Sequence, residues 1–224
     1  METLFMSKQV EAGQAVYSKA LLSVYDWFVL GFSNSYLWHC PTSILEEVFV
    51  KNATLNHLDI GVGTGYYPHK CFNGSADRRL ALLDLNPNSL EVAAARISRF
   101  KPEIYRANIL DPLNLSCNKF DSISMHYLLH CLPGSLQAKS VVFENVGPYL
   151  ADKGVVFGST ILGKDSDAGF FAKKVMAFYN RKGFFDNRDD HLNDLISVLN
   201  GHFAEVSINM VGCVAVFACR SPRN

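Results

Sequence analysis

The chain is short of most features that would place it quickly. Its six cysteines, Cys40, Cys71, Cys117, Cys131, Cys213 and Cys219, contain no C-x-x-C pair, and the opening METLFMSKQV lacks the charged-then-apolar build of a secretory signal. Reduced thiols and a cytoplasmic location are the expectation. There is no excess of charge: Lys plus Arg and Asp plus Glu each number 21, so no global field draws the chain to nucleic acid or an anionic membrane, and a neutral small molecule is the expected partner. The local basic clusters Arg96-Arg99-Lys101-Arg106 and Lys173-Lys174-Arg181-Lys182 read as solvated faces. No long hydrophobic run is present. Leu21 to Phe32 is apolar and aromatic but contains Asp26 and falls well short of the ~20 residues that span a bilayer. Repeats, low-complexity tracts and linkers are missing too. What is left, 224 residues that are 49% hydrophobic and 19% charged, suits one soluble domain with a sizeable core, alone or with a small cap, as a monomer or homodimer.

Against these absences stands one strong local pattern, Leu58-Asp59-Ile60-Gly61-Val62-Gly63-Thr64-Gly65. Thr54 to Ile60 reads as a buried strand, and the three alternating glycines remove Cβ atoms that would hold a flat, sugar-bearing ligand away from the main chain. A dinucleotide fingerprint needs G-x-G-x-x-G, and its third glycine would fall on Tyr66; a phosphate-binding P-loop needs a Gly-Lys-Ser/Thr that does not follow. Downstream, strand-like and helix-like segments alternate, as in parallel βαβ units. The expected strands are Arg79 to Leu85, Glu103 to Ala107, Phe120 to Met125, Gly154 to Leu162, Phe203 to Asn209 and Cys213 to Cys219. Helices are expected after Asn86-Pro87, over Ser135 to Leu150, over Ala168 to Lys182 with Phe171, Val175 and Phe178 inward, and over Asp189 to Asn200 with Gly201 as the stop.

An acidic residue at a strand end followed by G-x-G-x-G resembles motif I of the class I S-adenosylmethionine-dependent methyltransferases. The closing hairpin also resembles their sheet, and the likeness covers about residues 54 to 219. It implies an α/β, Rossmann-like fold: seven mostly parallel strands in the order 3-2-1-4-5-7-6, the last antiparallel, with helices on both faces. Residues 1 to 50 would form a helical cap, like that of small-molecule members such as the ubiquinone-biosynthesis type, and 51 to 224 the S-adenosylmethionine-binding domain.

In such a fold ligands bind where the strand order reverses, here between the first and fourth strands. The resemblance gives Asp59 the ammonium of the cofactor's methionine part, directly or through water, and lays the cofactor on Gly61, Gly63 and Gly65. Asp84, with Leu85 and Asn86 behind it, suits the ribose, since one carboxylate accepts from two hydroxyls. Asn108 and Ile109 occupy the adenine position; an amide there still accepts from N6 and donates to N1, unless Asn108 simply closes a turn. Met125 and His126 run beside the sulfonium. His126 and His130 share a face if the segment is helical, and either suits a general base; local packing is the competing reading for both. A metal is not expected, because no H-E-x-x-H or third ligand appears. Tyr25 and Trp38, from an aromatic stretch that includes Trp27, Phe28 and Tyr36, are candidates to roof cofactor and acceptor, or else they pack a helix on the sheet.

The reaction implied is in-line transfer of methyl from S-adenosylmethionine to an O, N, S or C nucleophile of a small molecule. Three alternatives compete: an RNA or protein methyltransferase, disfavoured by the neutral charge and the lack of an Asn/Asp-Pro-Pro-Tyr/Phe motif; a binding protein that keeps the fold without transfer; and a nicotinamide oxidoreductase, against which Tyr66 speaks.

Overall fold

The structure is a computed structural model and describes residues 33–72, 74, 77–165 and 168–223. Seven strands, β1 (Asn56–Ile60), β2 (Arg79–Asp84), β3 (Glu103–Arg106), β4 (Phe120–His126), β5 (Leu150–Ile161), β6 (Phe203–Val211) and β7 (Val214–Pro222), form one sheet. Its order is β3-β2-β1-β4-β5-β7-β6, as expected. The pairs from β3 through to β5 are parallel, and β7 runs antiparallel to both β5 and β6. Helices cover both faces, which is why the central strands read as nearly continuous apolar runs.

On one face lie α1 (Thr42–Asn52), α2 (Tyr66–Cys71), α3 (Pro87–Arg96) and α6 (Phe170–Lys182), packed through Leu45, Phe49, Tyr67, Leu90, Ala172 and Met176. On the other lie α4 (Leu136–Lys139), α5 (Val141–Val146) and α7 (Leu192–His202), packed through Leu136, Val142, Phe143, Leu195 and Leu199. Strand side chains alternate between these two cores. Leu58 and Ile60 of β1, like Ile123 and Met125 of β4, enter the second core, so His57, Asp59, Ser122, Ser124 and His126 project from the opposite face.

Local chemistry set several boundaries. The Asn86 side chain accepts the Asn88 N–H at 2.9 Å and Pro87 opens α3, both as expected. The helix expected over Ser135 to Leu150 is broken into α4, α5 and a 3-10 turn over Gly147–Tyr149. Ser140 bends the chain by donating its hydroxyl to Gln137 O at 2.6 Å, and Pro148 has no N–H with which to continue a helix. In α6 the inward residues are Ala172 and Met176, while Phe171 is 73% exposed; the aromatic stripe expected to face inward lies mostly outside. Gly201 sits within α7, which passes directly into β6 at Phe203.

Only part of the expected cap can be compared. Residues 1–32, and Tyr25 with them, lie outside the described residues. Within the rest, α1 is a layer of the core: Leu45 and Phe49 are fully buried, and the Phe49 ring meets His57 at 5.2 Å and Phe157 at 5.7 Å. No helix among the described residues is long and apolar enough to cross a membrane.

Candidate active site

The turn after β1 holds all three glycines in the left-handed region, at φ +69 for Gly61, +51 for Gly63 and +70 for Gly65. Their reasons differ. A Cβ on Gly65 would lie 3.0 Å from Cα and Cβ of Ala93, so this glycine lets α3 pack on the turn. A Cβ on Gly61 would meet the Leu128 side chain at 2.9 Å. At Gly63 no protein atom lies within 4 Å, and Gly63 lines both cavities that flank the turn. Only there does the missing side chain leave room for a ligand.

The larger cavity opens between the ends of β2, β3 and β4 and holds about 860 Å³ of empty space including its mouth. It collects Gly61, Gly63, Asp84, Leu85, Asn86, Asn108, Ile109 and His126, as expected. Its far wall is made by Tyr127 and Leu128, from the segment expected beside the sulfonium, and by Cys131, Leu132 and Pro133, which were not anticipated. Asp84 Oδ1 accepts the Asn86 N–H at 2.8 Å, and the Val62, Leu85 and Gly63 N–H groups also act on the carboxylate. Burial outweighs these donors and lifts its pKa to about 6. Asp84 therefore ties the end of β2 to the glycine turn while facing the cavity.

The smaller cavity, about 430 Å³ of empty space including its mouth, lies on the other side of the turn, among Asp59, Thr64, Tyr66, Tyr67, His126 and Tyr127. Asp59 is 5% exposed and accepts a hydrogen bond from Ser124 Oγ at 2.5 Å. Burial raises its pKa to about 7, the serine opposing and Asp84 adding to the rise. Tyr66, whose bulk excluded a dinucleotide fingerprint, donates its hydroxyl to Glu46 of α1 at 2.5 Å.

His126 ends β4 and lines both cavities. Its ring lies 4.5 Å from that of Tyr67, and its Nδ1 is 3.1 Å from Ser159 Oγ. Its Nε2 is buried with no hydrogen-bond partner among the described residues, and burial lowers its pKa to about 3.

Four of the expected site residues are engaged in contacts of their own. His130 and His126 share no helical face, because Tyr127 turns the chain at φ +56 with its N–H bonded to Ser159 O at 2.8 Å. His130 falls in a 3-10 turn, accepts the Ile161 N–H at Nδ1 and packs against Phe185 at 4.4 Å, outside both cavities. Met125 is fully buried in the second core by strand alternation, so only its neighbour His126 reaches the site. Asn108 closes a local turn: its oxygen accepts the Leu110 N–H at 3.2 Å and its amide donates to Asp111 at 3.0 Å, although the residue still borders the cavity. Trp38 is 2% exposed, lies tilted against Phe185 at 6.2 Å and lines neither cavity. It packs.

The reading of the sequence also missed the buried polar group beneath Asp59, formed by His57, Ser122 and Ser124. Its signal was present, as polar residues at every second position of FDSISMH and NHLDI in strands otherwise built for a core.

Comparison with known proteins adds the chemistry. The family described as "Methyltransferase domain" matches residues 58–156, which include the glycine turn, Asp84 and His126. The physcion biosynthesis cluster O-methyltransferase of Aspergillus chevalieri is 40% identical over 95% of this chain and 96% of its own. The demethylluteothin O-methyltransferase of Streptomyces thioluteus is 35% identical over 95% of this chain and 92% of its own. Among solved structures, the complex of DhpI with S-adenosylhomocysteine superimposes with a TM-score of 0.63 at 14% identity, over 96% of this chain and 98% of that one; at this identity the likeness concerns the fold.

Proposed function

Because this chain belongs to the class I S-adenosylmethionine-dependent methyltransferases, we propose that it methylates the oxygen of an acidic hydroxyl, enolic or phenolic, carried by a flat small molecule. The coarser part follows from membership: the chain is an enzyme that takes S-adenosylmethionine as cofactor and transfers its methyl group to a small molecule. When bound, that cofactor supplies an electrophilic methyl on a sulfonium.

The residues fit it. Gly63 offers a bare, left-handed backbone where a Cβ would project into open space. Asp59, buried with a single hydroxyl donor, suits the cofactor's ammonium as counter-ion, and that cation would hold the carboxylate ionised. Asp84 keeps acceptor capacity beyond its backbone donors for the ribose hydroxyls. With the Asn108 side chain engaged in its turn, the main chain of Asn108 and Ile109 is the better candidate for the adenine edge.

His126 carries the acceptor assignment. Its unpartnered Nε2 is buried where the two cavities meet, and the imidazole lies beside the Tyr67 and Phe157 rings. A neutral imidazole of such low basicity is poorly matched to an alkanol proton, but it can accept a hydrogen bond from a hydroxyl already inclined to ionise. Water exclusion by the rings favours the step, because charge is dispersed as methyl passes from a cation to an anion-like oxygen. The names of the two fungal and bacterial O-methyltransferases support oxygen as the acceptor atom. The six cysteines are free thiols, in keeping with action in a reducing cytoplasm.

The test is a screen of matched phenols, enols, alkanols, amines and thiols with S-adenosylmethionine, reading the added methyl by mass spectrometry. Acidic hydroxyls should react, and His126→Ala should lower kcat about 10²-fold at neutral pH. That loss should shrink at higher pH, where the hydroxyl ionises unaided. Preference for an amine, or a pH-independent effect of His126→Ala, would refute the assignment.

A further inference from the structure

The sheet face beneath α1 carries a buried hydrogen-bonded chain that the reaction above leaves unused. β1 and β4 pair in a register that sets His57 opposite Ser122 and Asp59 opposite Ser124. His57, Ser122 and Ser124 are all 0% exposed. His57 Nδ1 lies 2.8 Å from Ser122 Oγ and its Nε2 3.0 Å from Ser124 Oγ, which lies 2.5 Å from Asp59 Oδ1. Phe49, Phe72 and Phe157 surround the imidazole, with ring centroids at 5.2, 5.7 and 5.9 Å.

Counting protons fixes the direction of this chain. An ionised Asp59 only accepts, so the one proton of Ser124 goes to it. Ser124 Oγ is then an acceptor, and His57 Nε2 must carry the hydrogen that faces it. Burial keeps the imidazole neutral, with its pKa lowered to about 3, so Nδ1 is bare and accepts from Ser122. Ser122 Oγ in turn accepts the Thr54 N–H at 2.9 Å. The chain runs from the backbone before β1 to the carboxylate of the smaller cavity, with Thr54 Oγ1 also 2.9 Å from Ser122 Oγ.

Filling the core does not by itself account for this arrangement. An apolar side chain at position 57 would fill the aromatic surroundings without the desolvation cost of an imidazole. Around Asp59 the other titratable groups are Asp84 from β2, His126 at the end of β4, Tyr127 just beyond it, and Tyr66 and Tyr67 from α2. No lysine or arginine among the described residues forms an ion pair with Asp59. One orientation of the Ser124 hydroxyl therefore governs how the carboxylate is presented.

We propose that His57 is a positioning residue for the cofactor's amino-acid part: it fixes the Ser124 hydroxyl, which holds Asp59 Oδ1 and leaves the other carboxylate oxygen to the ammonium. This deepens, and rests on, the reading of Asp59 given above.

The test compares two ligands by calorimetry, S-adenosylhomocysteine and 5′-methylthioadenosine, which has the same nucleoside and thioether but no amino-acid part. Asp59→Asn should weaken the first and spare the second. His57→Phe and Ser124→Ala should each weaken S-adenosylhomocysteine about tenfold or more, the worth of a hydrogen bond to a charged group, with 5′-methylthioadenosine unchanged. Ser124→Thr, which keeps the hydroxyl, should restore wild-type affinity. Folded His57→Phe or Ser124→Ala protein with the wild-type ratio of the two affinities overturns the role of His57, even if its Tm falls. Should Asp59→Asn itself keep that ratio, the reading of Asp59 is what fails. If His57→Phe does not fold, the Ser124→Ala and Ser124→Thr pair decides.

Discussion

Gly63→Ala separates folding from cofactor binding more cleanly than any other change at this site. Holding alanine in the left-handed region costs about 1–2 kcal/mol. There is no packing cost to add, because nothing in the protein lies within 4 Å of the new Cβ. At roughly 2–4 °C per kcal/mol for a domain of this size, Tm should fall by about 2–8 °C. The methyl group projects instead over the turn shared by both cavities, against any ligand resting on that backbone. Overpacking of ~1–3 kcal/mol corresponds to about a 5- to 150-fold loss of S-adenosylhomocysteine affinity. Gly65→Ala is the control. Its Cβ would come within 3.0 Å of the Ala93 backbone, so its cost falls on folding, with a larger drop in Tm and a smaller change in affinity for the protein that stays folded. Thermal melts and calorimetry on both variants read the two effects. Folded Gly63→Ala that binds S-adenosylhomocysteine as wild type does would refute the placement of the cofactor on this turn.

At Asp84, substitution by Asn keeps an acceptor for the Asn86 N–H and the turn, and should weaken S-adenosylhomocysteine about tenfold with Tm near wild type, whereas Ala should lower both; unchanged affinity in Asp84→Ala would show that the ribose lies elsewhere. For Asp59 and Asp84, with folded pKa values raised to about 7 and about 6 from 3.8, the native state holds protons that the unfolded chain releases. Their stabilisation of the ligand-free protein is thus full below 3.8 and lost as pH rises through 6 and 7. Because the ammonium requires ionised Asp59, the gain in Tm from S-adenosylhomocysteine should grow between about pH 6 and 8, with proton release on binding; a gain flat over that range contradicts the pairing. The buried histidines His57, His126 and His130 act the other way: lowered from 6.5 to about 3, they contribute stability that is lost as pH falls through that window, so circular dichroism should show acid unfolding that a His130→Gln variant resists better. Finally, Lys139→Met leaves Asp190 buried without its 2.8 Å partner and should cost about 3 kcal/mol, part of which Lys139→Met with Asp190→Leu recovers; a single variant melting at the wild-type temperature would show the pair to be idle.

What could be read from the residues alone was whatever local chemistry decides. The glycine turn, the Asn86-Pro87 helix start and the apolar strands each follow from neighbours in the chain, and they put Asp59 and Asp84 at strand ends, whereas the sheet order came from the resemblance to the methyltransferase family. Two of the misreadings share one cause, a partner far along the chain. A helix through His126 and His130 was a fair reading of the spacing, but Ser159 captures the Tyr127 N–H and turns the backbone. Likewise Trp38 is buried by Phe185 and by its own carbonyl bonding to Cys213. The turn that engages Asn108 is local instead, closed by Leu110 and Asp111 two and three residues on.

The His57 chain sits between these cases. In a strand covered on both faces a polar side chain must find its partner on the same face of a neighbouring strand. NHLDI and FDSISMH each place polar residues two apart, which restricts their pairing to registers that keep the two sets in phase. The observed register, His57 with Ser122 and Asp59 with Ser124, satisfies all four side chains. A slip of one residue would set His57 against Ile123 and Asp59 against Met125, leaving a carboxylate and an imidazole among methyl groups. The same polar chain that holds Asp59 in place therefore also penalises misregistered pairing of the two central strands, so loss of His57 or Ser124 should be felt in folding as well as in cofactor affinity.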